Sequence, residues 1–289
     1  MYLGAHVSSA GGIENSIMQG DKYGINSIQI MPTAPMRWAT KSIEQESIEK
    51  FVETLKTSQV KKILIHGIYL TNLARSDKQL FHLGKMGLVV YLDFANRVEE
   101  LIKKDSLDVE ILGVCFHPGS QKELNHEDSL ERVSYGMDWV LNEVGGKSLL
   151  LIESTAGTGN NLGRSFTELS NIREGCKGKD RVGYVIDTQH TYAGGYDWVN
   201  DIDSVVEEIG ETLGFDRVKS IHINDSLAEL GSNKDRHANL GKGKIGEKGM
   251  YNILHRREFK NIPFILETPA LKSPSSAIEE ISQLKKLAE

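Results

Sequence analysis

The chain has 289 residues, 39% hydrophobic and 26% charged, enough to bury a large core and ordinary for a water-soluble globular protein. No apolar run reaches membrane-spanning length, and the two cysteines, Cys115 and Cys176, have neither a metal nor a redox spacing. The formal net charge of −6 argues mildly against a nucleic-acid partner, but three bound divalent cations would cancel it and concentrate positive charge at one place.

The N-terminal run MYLGAHVSSAGG lacks the basic and apolar regions of a signal peptide, so a cytoplasmic protein is expected. Eight short apolar segments then recur along the chain. They are Leu3–Val7, Ser27–Met31, Lys62–His66, Ile111–His117, Ser148–Glu153, Val182–Asp187, Val218–Ile223 and Ile262–Glu267. Each is too short for a core helix. Most are rich in Val, Ile and Leu with little alternation, which suits parallel strands buried on both faces. Between them lie amphipathic, charged segments that read as helices: Ser42–Lys56, Lys78–Lys104, His126–Val144, Asp201–Leu213 and Ser275–Leu287. Ser275 with Glu279, and Asp203, serve as helix-start signals.

Strands alternating with helices predict an α/β chain folded as a (β/α)8 TIM barrel, one domain over residues 1–289. An open doubly wound sheet would want a glycine-rich phosphate turn after its first strand, and HVSSAGGIENS imitates that turn only weakly. The least regular stretches, Pro32–Lys41, Thr191–Asn200 and Ser226–Gly246, all follow strands. They therefore fall on the face where barrels place their active sites.

The strands end in residues capable of chemistry. His66, His117, Glu153, Asp187, His222 and Glu267 sit at or near strand ends, His190 follows strand six, and Asp235 and His237 follow strand seven. Any one of them alone would usually be a hydrogen-bonded or solvated residue. Together they are five of the nine histidines and four acids, converging on one crevice. Four neighbouring carboxylates repel strongly unless neutralised, and metal ions neutralise them economically. Imidazole with carboxylate suits zinc, with manganese an alternative at one site. Nine ligands exceed the needs of one ion and fit two or three with a bridging carboxylate. Asp235 and His237, two apart in an extended segment, point the same way and can share an ion. Asp187 and His190, three apart at a strand end, should diverge and serve different ions. Ions held close together suit in-line displacement at phosphorus, with two-metal sugar isomerisation as the main competitor.

The ordered motifs resemble the endonuclease IV family of apurinic/apyrimidinic endonucleases over essentially the whole chain. They are GAHVS.AGG at Gly4–Gly12, YL.NL at Tyr69–Leu73, FHPGS at Phe116–Ser120, IE.TAG at Ile152–Gly157 and IDT.H at Ile186–His190. The run continues with an AGYD-like Ala193–Asp197, H.ND at His222–Asp225, DRH..LG.G.IG at Asp235–Gly246, and LET at Leu266–Thr268. The resemblance implies three zinc ions in a (β/α)8 barrel and cleavage of the phosphodiester 5′ to an abasic site in duplex DNA, leaving a 3′-hydroxyl. By matching position it gives His66, His117 and Glu153 to the first zinc. Glu153, Asp187, His222 and Glu267 go to the second, with Glu153 bridging, and His190, Asp235 and His237 to the third. Glu153 and Glu267 are the expected catalytic carboxylates. The implied reaction is attack on phosphorus by a metal-activated hydroxide, with no covalent enzyme intermediate.

Tyr69 and Leu70 match the residues that wedge into the duplex, and Arg37 and Arg236 are expected to touch DNA. One loop departs from the family. Where a Lys-Asn-Pro-Arg run has its Trp two places after the Arg, this chain reads PTAPMRW, with Arg37 directly before Trp38. Arg75, Arg164, Lys234, Lys242 and Lys244 are further candidates for phosphate contact. A monomer is expected. Two alternatives stay open at this stage: a two-metal sugar isomerase or epimerase on the same barrel, and a barrel that binds damaged DNA without cutting it.

Overall fold

In the computed structural model, which describes residues 1–289, the eight apolar runs are the strands of one closed parallel barrel. These are β1 (Leu3–His6), β2 (Ser27–Ile30), β3 (Lys62–His66), β4 (Glu110–Phe116), β5 (Leu150–Glu153), β6 (Val182–Asp187) and β7 (Val218–His222). A short antiparallel hairpin, β8 (Asp225–Ser226) with β9 (His237–Ala238), follows β7, and β10 (Phe264–Leu266) completes the barrel. Closure falls at β1, where Ala5 pairs with Ile28 on one side and Leu266 on the other. The bounds match the apolar runs to within two residues, because a strand covered on both faces must be apolar along its length.

The helices that cover the barrel include the expected long ones: α2 (Gln45–Leu55) after α1 (Asn15–Tyr23), then α3 (Lys78–Lys104) and α4 (His126–Glu143). Next come α5 (Phe166–Glu174), α6 (Thr188–Gly194), α7 (Ile202–Glu208) with a wider π-type turn over Ile209–Leu213, α8 (Gly246–Leu254) and α9 (Pro274–Leu287). Side chains mark several starts. Asp77 accepts from the Leu80 amide, Asn125 from Asp128 and Ser165 from Glu168. Each satisfies an amide the first helical turn leaves free. The last helix begins at Pro274 with Ser273 as its cap, two residues before the Ser275 signal, and α7 is preceded by Asp201 rather than Asp203. Four helices, α1, α5, α6 and α8, lie outside the predicted set. No helix is long and apolar enough to cross a membrane.

Period-two alternation divides the core in two. Outward residues such as Ile63, Ile65, Leu150, Ile152, Ile186 and Ile221 pack in the large layer between barrel and helices. Inward residues Leu64, Leu112, Cys115, Leu151, Val185 and Ile265 form a separate cluster inside the barrel. The next inward position on each strand lies two residues later, toward the C-terminal end. There the apolar filling stops and polar side chains begin.

Candidate metal centre

Counting two residues on from the apolar plug gives the site. Leu64 leads to His66, Cys115 to His117, Leu151 to Glu153, Val185 to Asp187 and Ile265 to Glu267. Ser220 leads likewise to His222, Ser27 to Gln29 and Gly4 to His6. Every barrel strand thus contributes one polar residue to a single ring. Glu153, Asp187, His222 and Gln29 are fully buried, and His66 nearly so.

Three sets drawn from histidines and carboxylates alone close to within 4.8 Å of one another, and a fourth joins Cys115 to Glu153 and His222. One is His66, His117 and Glu153, and a second is Glu153, Asp187, His222 and Glu267. Glu153 belongs to both. Its Oε2 lies 3.1 Å from His66 Nε2 and 3.5 Å from His117 Nε2, and its Oε1 3.0 Å from His222 Nδ1. The third set is Asp187, His190 and His237. Asp235 lies at its edge, half-exposed, 3.4 Å from His190 Nε2 and 3.6 Å from His237 Nε2. Asp235 and His237 therefore meet as their spacing predicted.

Asp187 and His190 do not diverge as expected. The strand stops at Asp187 and α6 starts at the next residue, so the strand period no longer applies. Asp187 is the helix cap. Its Oδ1 accepts from the His190 amide at 2.8 Å and lies 3.9 Å from His190 Nδ1. Thr188 and Gln189 are thus in the first turn of a helix. Asp187 faces both neighbourhoods, with His222 Nδ1 at 4.0 Å and His237 Nε2 at 3.7 Å.

The hydrogen-bond pattern tests whether these residues fit metal ions. A ligating histidine needs one ring nitrogen held as N–H by an outer partner and the other free. His66 directs Nδ1 at the Gly67 carbonyl, His190 at Ser154 and His237 at Glu267, at 2.7, 2.9 and 3.3 Å. Each leaves Nε2 turned toward the carboxylates. Asn224 donates to Asp187 Oδ2 at 2.6 Å, and its own oxygen accepts from the Glu267 amide. Five imidazoles and four carboxylates, with outer partners that fix three of the imidazoles and Asp187, suit several divalent cations.

The electrostatics agree. Burial pushes the Glu153 carboxyl up, but the nearby charges of His117 and His222 and its close contacts with His222 and His66 hold it well below its ordinary range. Burial likewise opposes ionisation of Glu267, yet the charge of His222 brings it down to about 2. Burial lowers His222, and the charges of Glu267 and Glu153 overcome this and raise it to about 9. The ring demands positive charge, which protons or cations can supply.

Known proteins resemble this chain over nearly its whole length. A family model described as a xylose isomerase-like TIM barrel matches residues 20–287. Probable endonuclease 4 of Halothermothrix orenii is 33% identical over 288 residues, covering 99% of this chain and all of that protein. The chain belongs to the endonuclease IV family. Probable endonuclease 4 of Methanosphaera stadtmanae is 35% identical over 267 residues, covering 92% of each chain. The endonuclease IV crystal structure from Thermus thermophilus superposes with a TM-score of 0.85 at 28% identity, covering 99% of this chain and 98% of that one. A D-tagatose 3-epimerase-like protein, 16% identical with a TM-score of 0.70, shares the fold alone.

The face above the ring carries the residues expected at DNA. A groove of about 500 Å3 runs from His117 and His190 past Tyr69, Thr71 and Arg75 to Asn161. Tyr69 is 58% exposed, so it is not part of the core, whereas Leu70 is half-buried against the core. Arg37 and Arg236 are exposed; Arg236 donates to the Asp235 carbonyl. In the departing loop Trp38 packs on the core, and Met36, directly after Pro35, is 66% exposed. Met36, Tyr69 and Leu227, all exposed and apolar, follow β2, β3 and the start of the hairpin respectively. Sequence reasoning passed over Met36, Leu227 and Gln29, and took in His6 and Asn224 only within motifs, without a role for either. The period-two count that located Glu153 would also have located His6 and Gln29.

Proposed function

We propose that this chain is a zinc-dependent apurinic/apyrimidinic endonuclease of base-excision DNA repair. It would cut the phosphodiester 5′ to an abasic site in duplex DNA, leave a 3′-hydroxyl and act as a monomer. Family membership makes the chain a nuclease, an enzyme of the hydrolase class. The observation that carries the finer reading is the ring of nine potential ligands at one end of the barrel.

His66, His117 and Glu153 would hold one ion, and Glu153, Asp187, His222 and Glu267 a second, with Glu153 shared. His190, Asp235 and His237 would hold the third, with Asp187 alongside. When bound, such ions lower the pKa of an attacking water and stabilise the attacking and departing oxygens of an in-line displacement. The chain's own residues do the rest. Glu153 and Glu267 orient the reacting centre from the barrel floor, and the backbone carbonyls behind His66, His190 and His237 hold the imidazoles in register.

The site lies in a pit, so the target nucleotide must leave the helix to reach it. A missing base lowers the cost of unstacking, which favours abasic sites. Exposed Tyr69 and Met36 can pack against the bases left behind, as apolar wedges do in kinked duplexes, with half-buried Leu70 next to Tyr69 in the chain. Arg37 and Arg236 can meet phosphates at the rim.

Elemental analysis tests the metal reading. About three zinc per chain are expected from the ligand sets and zinc's four-coordinate habit. One zinc per chain would overturn it.

A further inference from the structure

The polar ring contains two residues with no role so far, Gln29 and His6. Gln29 is fully buried in the middle of β2, between Ile28 and Ile30. Its side-chain nitrogen donates to Glu267 Oε1 at 2.5 Å, and its oxygen lies 2.6 Å from His222 Nε2. His6 Nδ1 lies 3.1 Å from the same amide nitrogen. One side chain thus reaches two ligands of the second ion and a third ring residue.

The chemistry allows one arrangement of these contacts. An ionised carboxylate only accepts, so the amide must present its NH2 group to Glu267. Turned over, its oxygen would face the carboxylate oxygen. The amide oxygen therefore faces His222, and His222 Nε2 must carry the hydrogen. That leaves Nδ1 as the free nitrogen, 3.0 Å from Glu153 Oε1 and 3.2 Å from Glu267 Oε2. His66, His190 and His237 have the reverse orientation, with Nδ1 held by a backbone carbonyl and Nε2 turned inward. At His222 the Gln29 amide takes the place of the carbonyl. His6 accepts the second amide hydrogen and so holds the amide plane.

We propose that Gln29 is a positioning residue of the metal centre, fixing the His222 tautomer and the Glu267 carboxylate with one amide braced by His6. The proposal rests on the metal reading above. It implies that the second ion's site is set by β2, a strand that supplies no ligand. Outer partners of this kind alter metal affinity by about ten- to a hundredfold.

The test uses metal-loaded protein and two substitutions. Gln29→Met keeps length and volume but removes both hydrogen bonds. Gln29→Glu can accept from His222 but sets a second carboxylate against Glu267. Metal retention is measured by elemental analysis after dialysis against graded chelator. The histidine tautomers are read from nitrogen–proton correlations of nitrogen-15-labelled protein. In the parent protein His222 should show a protonated Nε2. Gln29→Met should lose that signature, and one ion should leave at about ten- to a hundredfold lower chelator while the His66 and His190 signatures persist. Gln29→Glu should keep the His222 signature and still release the ion early. Two results would overturn the proposal. One is a parent His222 protonated at Nδ1. The other is a Gln29→Met protein that keeps the Nε2 signature and full retention, or loses all ions together with its melting temperature. A parent protein that binds no metal would overturn the metal reading and the proposal with it.

Discussion

Asp225 organises the loop that carries the third ligand set, and removing its charge should be costly. Its carboxylate is fully buried and faces four backbone amides. Oδ1 accepts from Ser226 at 2.7 Å and Ile245 at 3.0 Å, Oδ2 from Gly243 at 2.9 Å, and the Gly246 amide lies 3.2 and 3.3 Å from the two oxygens. These bonds fold the Gly241–Gly246 run back onto β8, which pairs with His237 and Ala238. Gly243 has no alternative, since a Cβ there would collide with the Ser226 carbonyl oxygen. Asp225→Asn keeps one oxygen and puts an NH2 group where the other stood. The cheapest orientation turns that group toward the Gly243 amide, so a charged hydrogen bond is lost and two donors face each other. A charge-assisted bond contributes about 1.5–3 kcal/mol and an orphaned buried donor costs about 1–3 kcal/mol, giving a loss of about 2.5–6 kcal/mol. For a chain of this size that lowers the melting temperature on the order of 10 °C. Thermal unfolding followed by circular dichroism measures it. A melting temperature within about 1 °C of the parent would show that the loop does not depend on this carboxylate.

Three further outcomes are expected. Glu267→Gln should slow cleavage of an abasic duplex at least about a hundredfold in single-turnover assays while leaving binding largely intact, and unchanged turnover would make Glu267 structural. Tyr69→Ala should weaken binding to an abasic duplex by more than about 1 kcal/mol with zinc content unchanged, and the reverse pattern would remove Tyr69 from the recognition surface. Glu280 concerns pH. Burial raises its carboxyl above the ordinary value, against the hydrogen bond from the Leu240 amide. A raised folded-state pKa supports folding fully only below the unfolded pKa, and that contribution is lost as pH rises through the folded value. Glu280→Gln keeps the acceptor and cannot ionise. It should therefore melt higher than the parent at about pH 7 and lose that advantage near about pH 4; a pH-independent difference would contradict this.

The barrel was legible because eight short apolar runs are separated by longer amphipathic segments, and strands buried on both faces leave that imprint. Long helices such as Lys78–Lys104 stood out by length and periodicity. The short α1, α5 and α8, each nine residues, did not, because two turns hold too few apolar positions to show a period. At β6 the alternation rule stopped one residue too soon to describe Asp187 and His190. Asp187 ends the strand and caps a helix at once, and no loop residue separates the two. The ligand candidates were visible because histidines and acids draw attention at strand ends. Gln29 was not, because an uncharged amide in an apolar strand resembles an ordinary buried residue until its partners are known.

The central claim is metal-dependent incision at abasic sites. It is tested by incubating the purified protein with a duplex bearing a single abasic site, with and without prior chelator treatment. The account predicts a single cut 5′ to the site with a 3′-hydroxyl that a DNA polymerase can extend, abolished by chelation and restored by zinc. No incision by the loaded protein, or incision indifferent to the chelator, would contradict it.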